Sequence, residues 1–137
     1  MPGPVLGGVY WVRDDLLVLI PAKERSVQHD RRMVVVVSGS ETNASSEWPF
    51  ILACPISGST KFRTRYCVKL AQGEGNVDKK SWVRVPAVQP LEKATLQDLV
   101  GYLPGSRLTE IQTRLVEYMG LFASENDEPS SGPAGSR

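Results

Sequence analysis

The residues of this chain that could do chemistry are mainly arginines, lysines, serines and threonines, and they are unevenly placed. Between Glu47 and Glu74 there is no acidic residue, while Lys61, Arg63, Arg65 and Lys69 all fall inside that window. A local positive field of this kind suits a polyanion, although a solvated strand face would have the same composition. Guanidinium groups match a phosphate bidentately, and hydroxyls add further hydrogen bonds. Trp48, Trp82 and Tyr10 are candidate exposed aromatics. Such a set can bind a phosphodiester. It can also help cleave one without a metal when the substrate carries its own nucleophile, as the ribose 2′-hydroxyl does. The protein must then orient that group, neutralise the phosphate oxygens and help the 5′-oxygen leave with a proton.

Other chemistries are poorly supplied. His29 is the only histidine and lies in a polar stretch. It reads as a surface residue or a phosphate contact, and no histidine pair or histidine-based metal cluster can form. The acids are scattered, and neither a Walker A loop, a GxGxxG turn after a strand nor a GxSxG elbow is present. No cofactor and no metal are expected. Cys54 and Cys67 lack CxxC spacing and read as buried strand thiols. The N-terminus has no basic segment leading into an apolar one, so no signal peptide is expected. The longest apolar runs, Leu16 to Ile20 and Met33 to Val37, have five residues each, against roughly 20 for a membrane span. These features lead us to expect a cytoplasmic protein with no membrane partner.

The elements that must position such residues follow from the hydrophobic pattern. A chain of 137 residues, 41% hydrophobic and 23% charged, has the balance of one globular domain. The domain is read as residues 1–122. Residues 123–137, rich in Ser, Gly, Pro and acid, read as a disordered acidic tail. Without that tail the net charge rises from +1 to +3. Val9 to Val12 and Leu16 to Ile20 are β-prone, with a tight turn at Asp14-Asp15. Met33 to Val37 is a β-branched run expected to be a strand buried on both faces. Ser38 to Glu47 reads as a loop, and Phe50 to Cys54 as a strand. Phe62 to Leu70 alternates, which predicts a strand with its basic residues on one face and Phe62, Thr64, Tyr66 and Val68 in the core. Trp82 to Gln89 reads as one long strand, with Pro86 at an edge or bulge. Thr95 to Leu103 suggests a short helix. From Gly105 the period becomes helical, with Leu108, Ile111, Leu115 and Met119 on one core-facing stripe and Gly120 as the stop. The expected class is mainly β (α+β), a small barrel with a packed terminal helix.

Five of these segments, in order, also resemble one family. Gly7-Gly8-Val9-Tyr10-Trp11-Val12 is similar to the opening strand of MazF/PemK toxins, and Arg32-Met33-Val34-Val35-Val36-Val37-Ser38 to their R-P-V-V-V-L-S strand. Pro49 to Ser57 resembles the next strand, which ends P-x-T. Gln89-Pro90 falls where the family carries D-Q-P, and Leu103 to Leu121 resembles the terminal helix. The resemblance implies an SH3-like barrel of the CcdB/PemK type that forms a homodimer. It implies metal-independent, sequence-selective cleavage of single-stranded RNA, leaving 2′,3′-cyclic phosphate and 5′-hydroxyl ends. It also implies a cognate antitoxin protein as partner.

Carried onto this sequence, the resemblance implies Arg32 as the catalytic arginine and Ser57 as the catalytic hydroxyl. From the residues alone, Arg32 is equally a charge flanking a strand and Ser57 a turn hydroxyl. Arg63, Arg65 and Lys61 are the candidate phosphate contacts, with Gln89 a further candidate substrate contact. Trp48 or Tyr66 could stack a base or anchor a loop. The chain departs from the family at Met33, where a proline is usual, and at Val88, where the acid is. The basic residue of some members falls on Pro86, and Arg84, two residues earlier, is the expected substitute. Two alternatives remain open: a non-catalytic nucleic-acid- or protein-binding member of the fold, and a topoisomerase poison of the CcdB kind acting through the terminal helix.

Overall fold

The computed structural model describes residues 3–19 and 30–121. His29, residues 20–28 and the tail read as disordered lie outside the described residues.

The described residues form seven strands: β1 (Gly8–Arg13), β2 (Arg31–Val36), β3 (Phe50–Ser57), β4 (Val68–Leu70), β5 (Ser81–Val83), β6 (Gln89–Glu92) and β7 (Leu99–Tyr102). A short helix, α1 (Ser40–Ala44), joins β2 to β3, and a longer one, α2 (Gly105–Tyr118), follows β7. The strands pair in the order β4-β5-β3-β2-β1-β7, with β6 also on β3, and every pairing is antiparallel. The sheet curls into a half-barrel carrying one C-terminal helix.

The valine run of β2 sits at the centre because it can be buried on both faces. Val34, Val35 and Val36 are all fully buried. Val35 joins a core with Val9, Cys54, Ile56, Val68, Val83 and Ile111. Val34 and Val36 join a second core with Val12, Leu17, Ile51, Ala53 and Leu91. Alternation along a strand divides them in this way. Helix α2 closes the first core through Ile111, the one residue of the helix that is fully buried, with Leu115 packed beside it. Burying an isoleucine is worth about 2 kcal/mol. The expected stripe therefore exists but is narrower than its spacing implies, since Met119 is 61% exposed.

Several elements differ from the sequence expectation. The strand expected over Leu16 to Ile20 is absent from its described part, Ile20 lying outside it: a 3-10 turn spans Asp14–Leu16, and Leu17 to Leu19 run on outside the sheet. Leu17 still packs into the second core, so its apolar character serves burial rather than pairing. Ser40–Ala44 is helical, where a loop was expected. The strand predicted for Phe62 to Leu70 shrinks to Val68–Leu70, and Phe62 is exposed instead of buried. The long strand over Trp82 to Gln89 is broken by a 3-10 turn at Val85–Ala87. Pro86 has no N–H to give a ladder and suits the first turn of a helix. Ser57 faces Trp82 and Ala53 faces Gln89, so four steps along β3 are matched by seven on the other side. The helix suggested over Thr95 to Leu103 is instead strand β7, after a 3-10 turn at Lys93–Thr95. There β1 offers an open edge, and tertiary pairing overrides a weak local propensity.

Candidate active site

Arg32 lies near the start of β2, opposite Val12 of β1. Immediately after β1 the 3-10 turn folds Asp14 inward, so that residue is only 3% exposed. Arg32 Nε donates to Asp14 Oδ1 at 2.8 Å, with both side chains largely out of solvent. A charge-assisted bond in so dry a place is strong, and it fixes the plane of the guanidinium. Asp14 is a site residue that the sequence reading did not single out. The only signal was an acid directly after a strand that pairs with the arginine's strand.

The β2–β3 pairing reaches Val34 opposite Pro55, two residues along the chain from Arg32 and two from Ser57 at the end of β3. On the other side of β3, Ser57 pairs with Trp82, and Arg84 N donates to Pro55 O at 2.8 Å. The Arg84 side chain then reaches back along β3. Its Nη2 lies 3.5 Å from Ser57 Oγ and 2.8 Å from both Ser59 O and Lys61 O. Arg84 is 7% exposed, and its Nη1 is buried with no hydrogen-bond partner among the described residues. Burial pulls the Arg84 guanidinium below its ordinary pKa; charge on Cys67 opposes this, and the like charge of Arg32 adds to it. The charge of Arg32 thus reaches Arg84.

Of the other cations, Lys79 packs against Gly58, next to Ser57, and Arg63 against the partner of Ser57. The Arg63 guanidinium stacks 4.6 Å from the Trp82 ring centroid, and Trp82 is the strand partner of Ser57. Lys61 precedes Phe62 and places its Nζ 5.4 Å from that ring. Arg65 turns elsewhere: its guanidinium covers Tyr66 at 4.3 Å and donates to the Tyr66 hydroxyl at 2.6 Å. Tyr66 in turn meets Tyr118 of α2 edge to face. Tyr66 therefore packs on the terminal helix.

Two expected substrate contacts are not brought to this cleft. Trp48, 54% exposed, packs edge to face on Phe50. Phe50 is at the far end of β3 from Ser57, roughly 23 Å away at the rise of an extended strand. With Phe50, Leu52 and Pro90, Trp48 lines a shallow apolar groove of its own, of about 390 Å³. Gln89 spends its amide on the backbone. It accepts from Val18 N at 3.0 Å and donates to Val18 O at 2.9 Å and Ala87 O at 3.0 Å.

Among the described residues no three His, Cys, Asp or Glu side chains gather where they could hold a metal ion. Both cysteines are free, Cys54 buried and Cys67 half-buried. Burial first, and then charge on Cys67, pushes the Cys54 thiol up to about 12. No helix of the described residues is long and apolar enough to cross a membrane.

The site thus offers the Arg32 guanidinium, held by a carboxylate, and the Ser57 hydroxyl, with the buried Arg84 bound to two carbonyls beside it. That arrangement can seat a phosphodiester and hold negative charge developing on it. Comparison with solved structures finds the same fold. The chain is similar to an endoribonuclease from a Mycobacterial species, with 21% identity and a TM-score of 0.64 over 88% of this chain and 94% of that one. It is similar to the MazE-MazF complex from Deinococcus radiodurans, with 18% identity and a TM-score of 0.64 over 88% and 98%. It is also similar to a Mycobacterial endoribonuclease in complex with its cognate antitoxin, with 18% identity and a TM-score of 0.62 over 88% and 96%. No curated protein matches the chain significantly. The profile of the PemK-like, MazF-like toxins of type II toxin-antitoxin systems matches residues 7–119, and the chain belongs to that family.

Proposed function

We propose that this toxin is a metal-independent endoribonuclease that cuts single-stranded RNA at selected sequences. One observation carries the reading: Arg32, locked by Asp14, acts through its charge on the buried Arg84, which reaches Ser57 at the rim of a loop rich in basic residues. In this reading the ribose 2′-oxygen attacks the adjacent phosphorus and the 5′-oxygen leaves with a proton. The products are a 2′,3′-cyclic phosphate and a 5′-hydroxyl. Arg32 stabilises charge on the phosphate oxygens, and Ser57 adds a hydrogen bond. Arginine keeps its charge under ordinary conditions, so its role is electrostatic rather than that of a base. Lys61 and Arg63 hold flanking phosphates, each adding salt-dependent affinity. A homodimer, a cognate antitoxin that silences the cleft and a cytoplasmic setting belong to the same reading.

The test is incubation of the purified protein with long single-stranded RNA in excess EDTA, beside an Arg32→Ala protein. Discrete fragments with 5′-hydroxyl ends from the wild type alone are the expected result. A second reading, a poison acting by protein contact, is favoured by the exposed Tyr118, Met119 and Leu121 at the end of α2. No cleavage by either protein, with growth arrest that depends on those three residues, would select it.

A further inference from the structure

The segment between β3 and β4 holds the only exposed aromatic among the described residues with a left-handed backbone. Phe62 has φ +65 and is 44% exposed. A bulky residue rarely adopts that conformation, and where it does the surroundings have to impose it. A single exposed apolar side chain is ordinary, but one turned outward against its own backbone preference is not.

Two contacts impose it: Arg63 N donates to Thr60 O at 3.1 Å, closing a turn with Phe62 at its third position, and Arg84 grips the chain just before it. The Arg84 Nη2 holds the carbonyls of Ser59 and Lys61, both at 2.8 Å, and so grips the chain up to the residue before Phe62. That grip comes from a side chain 7% exposed, with its second amino group buried and unpartnered among the described residues. A buried, incompletely satisfied guanidinium is a costly way to hold a loop. It fixes the loop relative to Ser57, which the same Nη2 approaches. Phe62 is flanked by Lys61, whose Nζ lies 5.4 Å from its ring centroid, and by Arg63, stacked on the strand partner of Ser57. Cation, aromatic ring and cation follow one another along the loop, as phosphate, base and phosphate follow one another along a single strand. Stacking platforms within a positively charged groove are the general means of holding splayed bases.

We infer that Phe62 is the platform on which a base near the scissile phosphate stacks, and that Arg84 is the positioning residue that presents it. The inference rests on the RNA-cleaving reading above and adds a specificity-determining residue to it.

The experiment uses the full chain and the variants Phe62→Ala, Phe62→Trp and Phe62→Gly. The sequence cut by the wild type is remade as an uncleavable 2′-O-methyl oligoribonucleotide, with 2-aminopurine at each position in turn. Quenching of 2-aminopurine at one position near the cut is expected with the wild type and with Phe62→Trp, and is lost with Phe62→Ala. Phe62→Ala should bind about 5- to 100-fold more weakly and raise KM, with kcat within about 3-fold. Phe62→Gly should bind as weakly as Phe62→Ala while its Tm is unchanged or higher, because glycine relieves the left-handed backbone. A merely structural Phe62 would lower Tm in that variant. Equal affinity, equal KM and unchanged quenching in Phe62→Ala, with the wild type cutting RNA, would overturn the inference alone. A wild-type protein that neither cuts nor binds single-stranded RNA would overturn it together with the reading beneath it.

Discussion

Asp14 Oδ1 accepts a hydrogen bond from Arg32 Nε at 2.8 Å, joining the turn after β1 to the first residues of β2. The carboxylate side chain is 4% exposed and that of the arginine 17%. The pair fixes one guanidinium in the cleft, and it ties the fate of the site to the fate of the fold.

Arg32→Ala should abolish RNA cleavage, but it should not be silent for stability. It takes the guanidinium from a buried carboxylate, and breaking such a pair costs about 3 kcal/mol. The double variant Asp14→Asn/Arg32→Ala should recover much of the lost Tm and still cut nothing. Asp14→Asn alone should lower kcat more than it raises KM, because it frees the plane of Arg32 rather than removing the charge. Cleavage by a folded double variant would remove Arg32 from the site.

Ser57→Thr should retain more cleavage than Ser57→Ala, since the role asked of this residue needs only a hydroxyl. Initial rates under single-turnover conditions would show it. Equal losses in the two variants would point to a structural role, consistent with the hydrogen bond that Ser57 Oγ accepts from Ser59 N at 3.1 Å.

Gln89→Ala should act on the chain near Val18 and not on RNA. The Gln89 amide makes two hydrogen bonds to the Val18 backbone, and losing them should lower stability by about 1 to 2 kcal/mol. Faster hydrogen exchange at the Val18 amide with unchanged oligonucleotide affinity is the expected outcome. Weaker affinity at unchanged stability would return Gln89 to the substrate contacts.

The Cys54 thiol, pushed up to about 12 by burial, should resist alkylation at pH 8 while the half-buried Cys67 reacts. The same shift has a stability consequence. The folded state holds the Cys54 proton more tightly than the unfolded state does. Its contribution is therefore complete below the unfolded value of 9.0 and is lost as pH rises from there toward about 12. Across that window the wild type should lose up to about 1.4 kcal/mol per pH unit relative to Cys54→Ala. Chemical denaturation at pH 8 and pH 11 would measure the difference, and parallel losses would show that Cys54 ionises without cost.

Much of the scaffold was legible in the chain by itself. The β-branched run Met33 to Val37 could be satisfied only by burial on two faces, and β2 is buried in that way. The helical period from Gly105 and the stop at Gly120 marked α2. The ordered short segments marked the family through the resemblance, because strand order and spacing are properties of sequence. Local pattern failed where tertiary partners outweighed it. The alternation over Phe62 to Leu70 was read as one strand, but Arg84 holds the carbonyls of Ser59 and Lys61, and pairing begins only at Val68. Trp82 to Gln89 lost its continuity to a turn at Pro86.

The candidate site shows the same division. Arg32, Ser57 and Arg84 could be named one at a time, since residue type and motif position are local. Their placement depends on how β2 and β5 each pair with β3, and no local pattern encodes a register between distant strands. Asp14 was missed for the same reason. An acid after a strand is ordinary in sequence, and it becomes the partner of Arg32 only when β1 and β2 pair. The sequence determined which groups the cleft could contain. Pairing at long range decided which of them meet there, and that Trp48 and Gln89 do not.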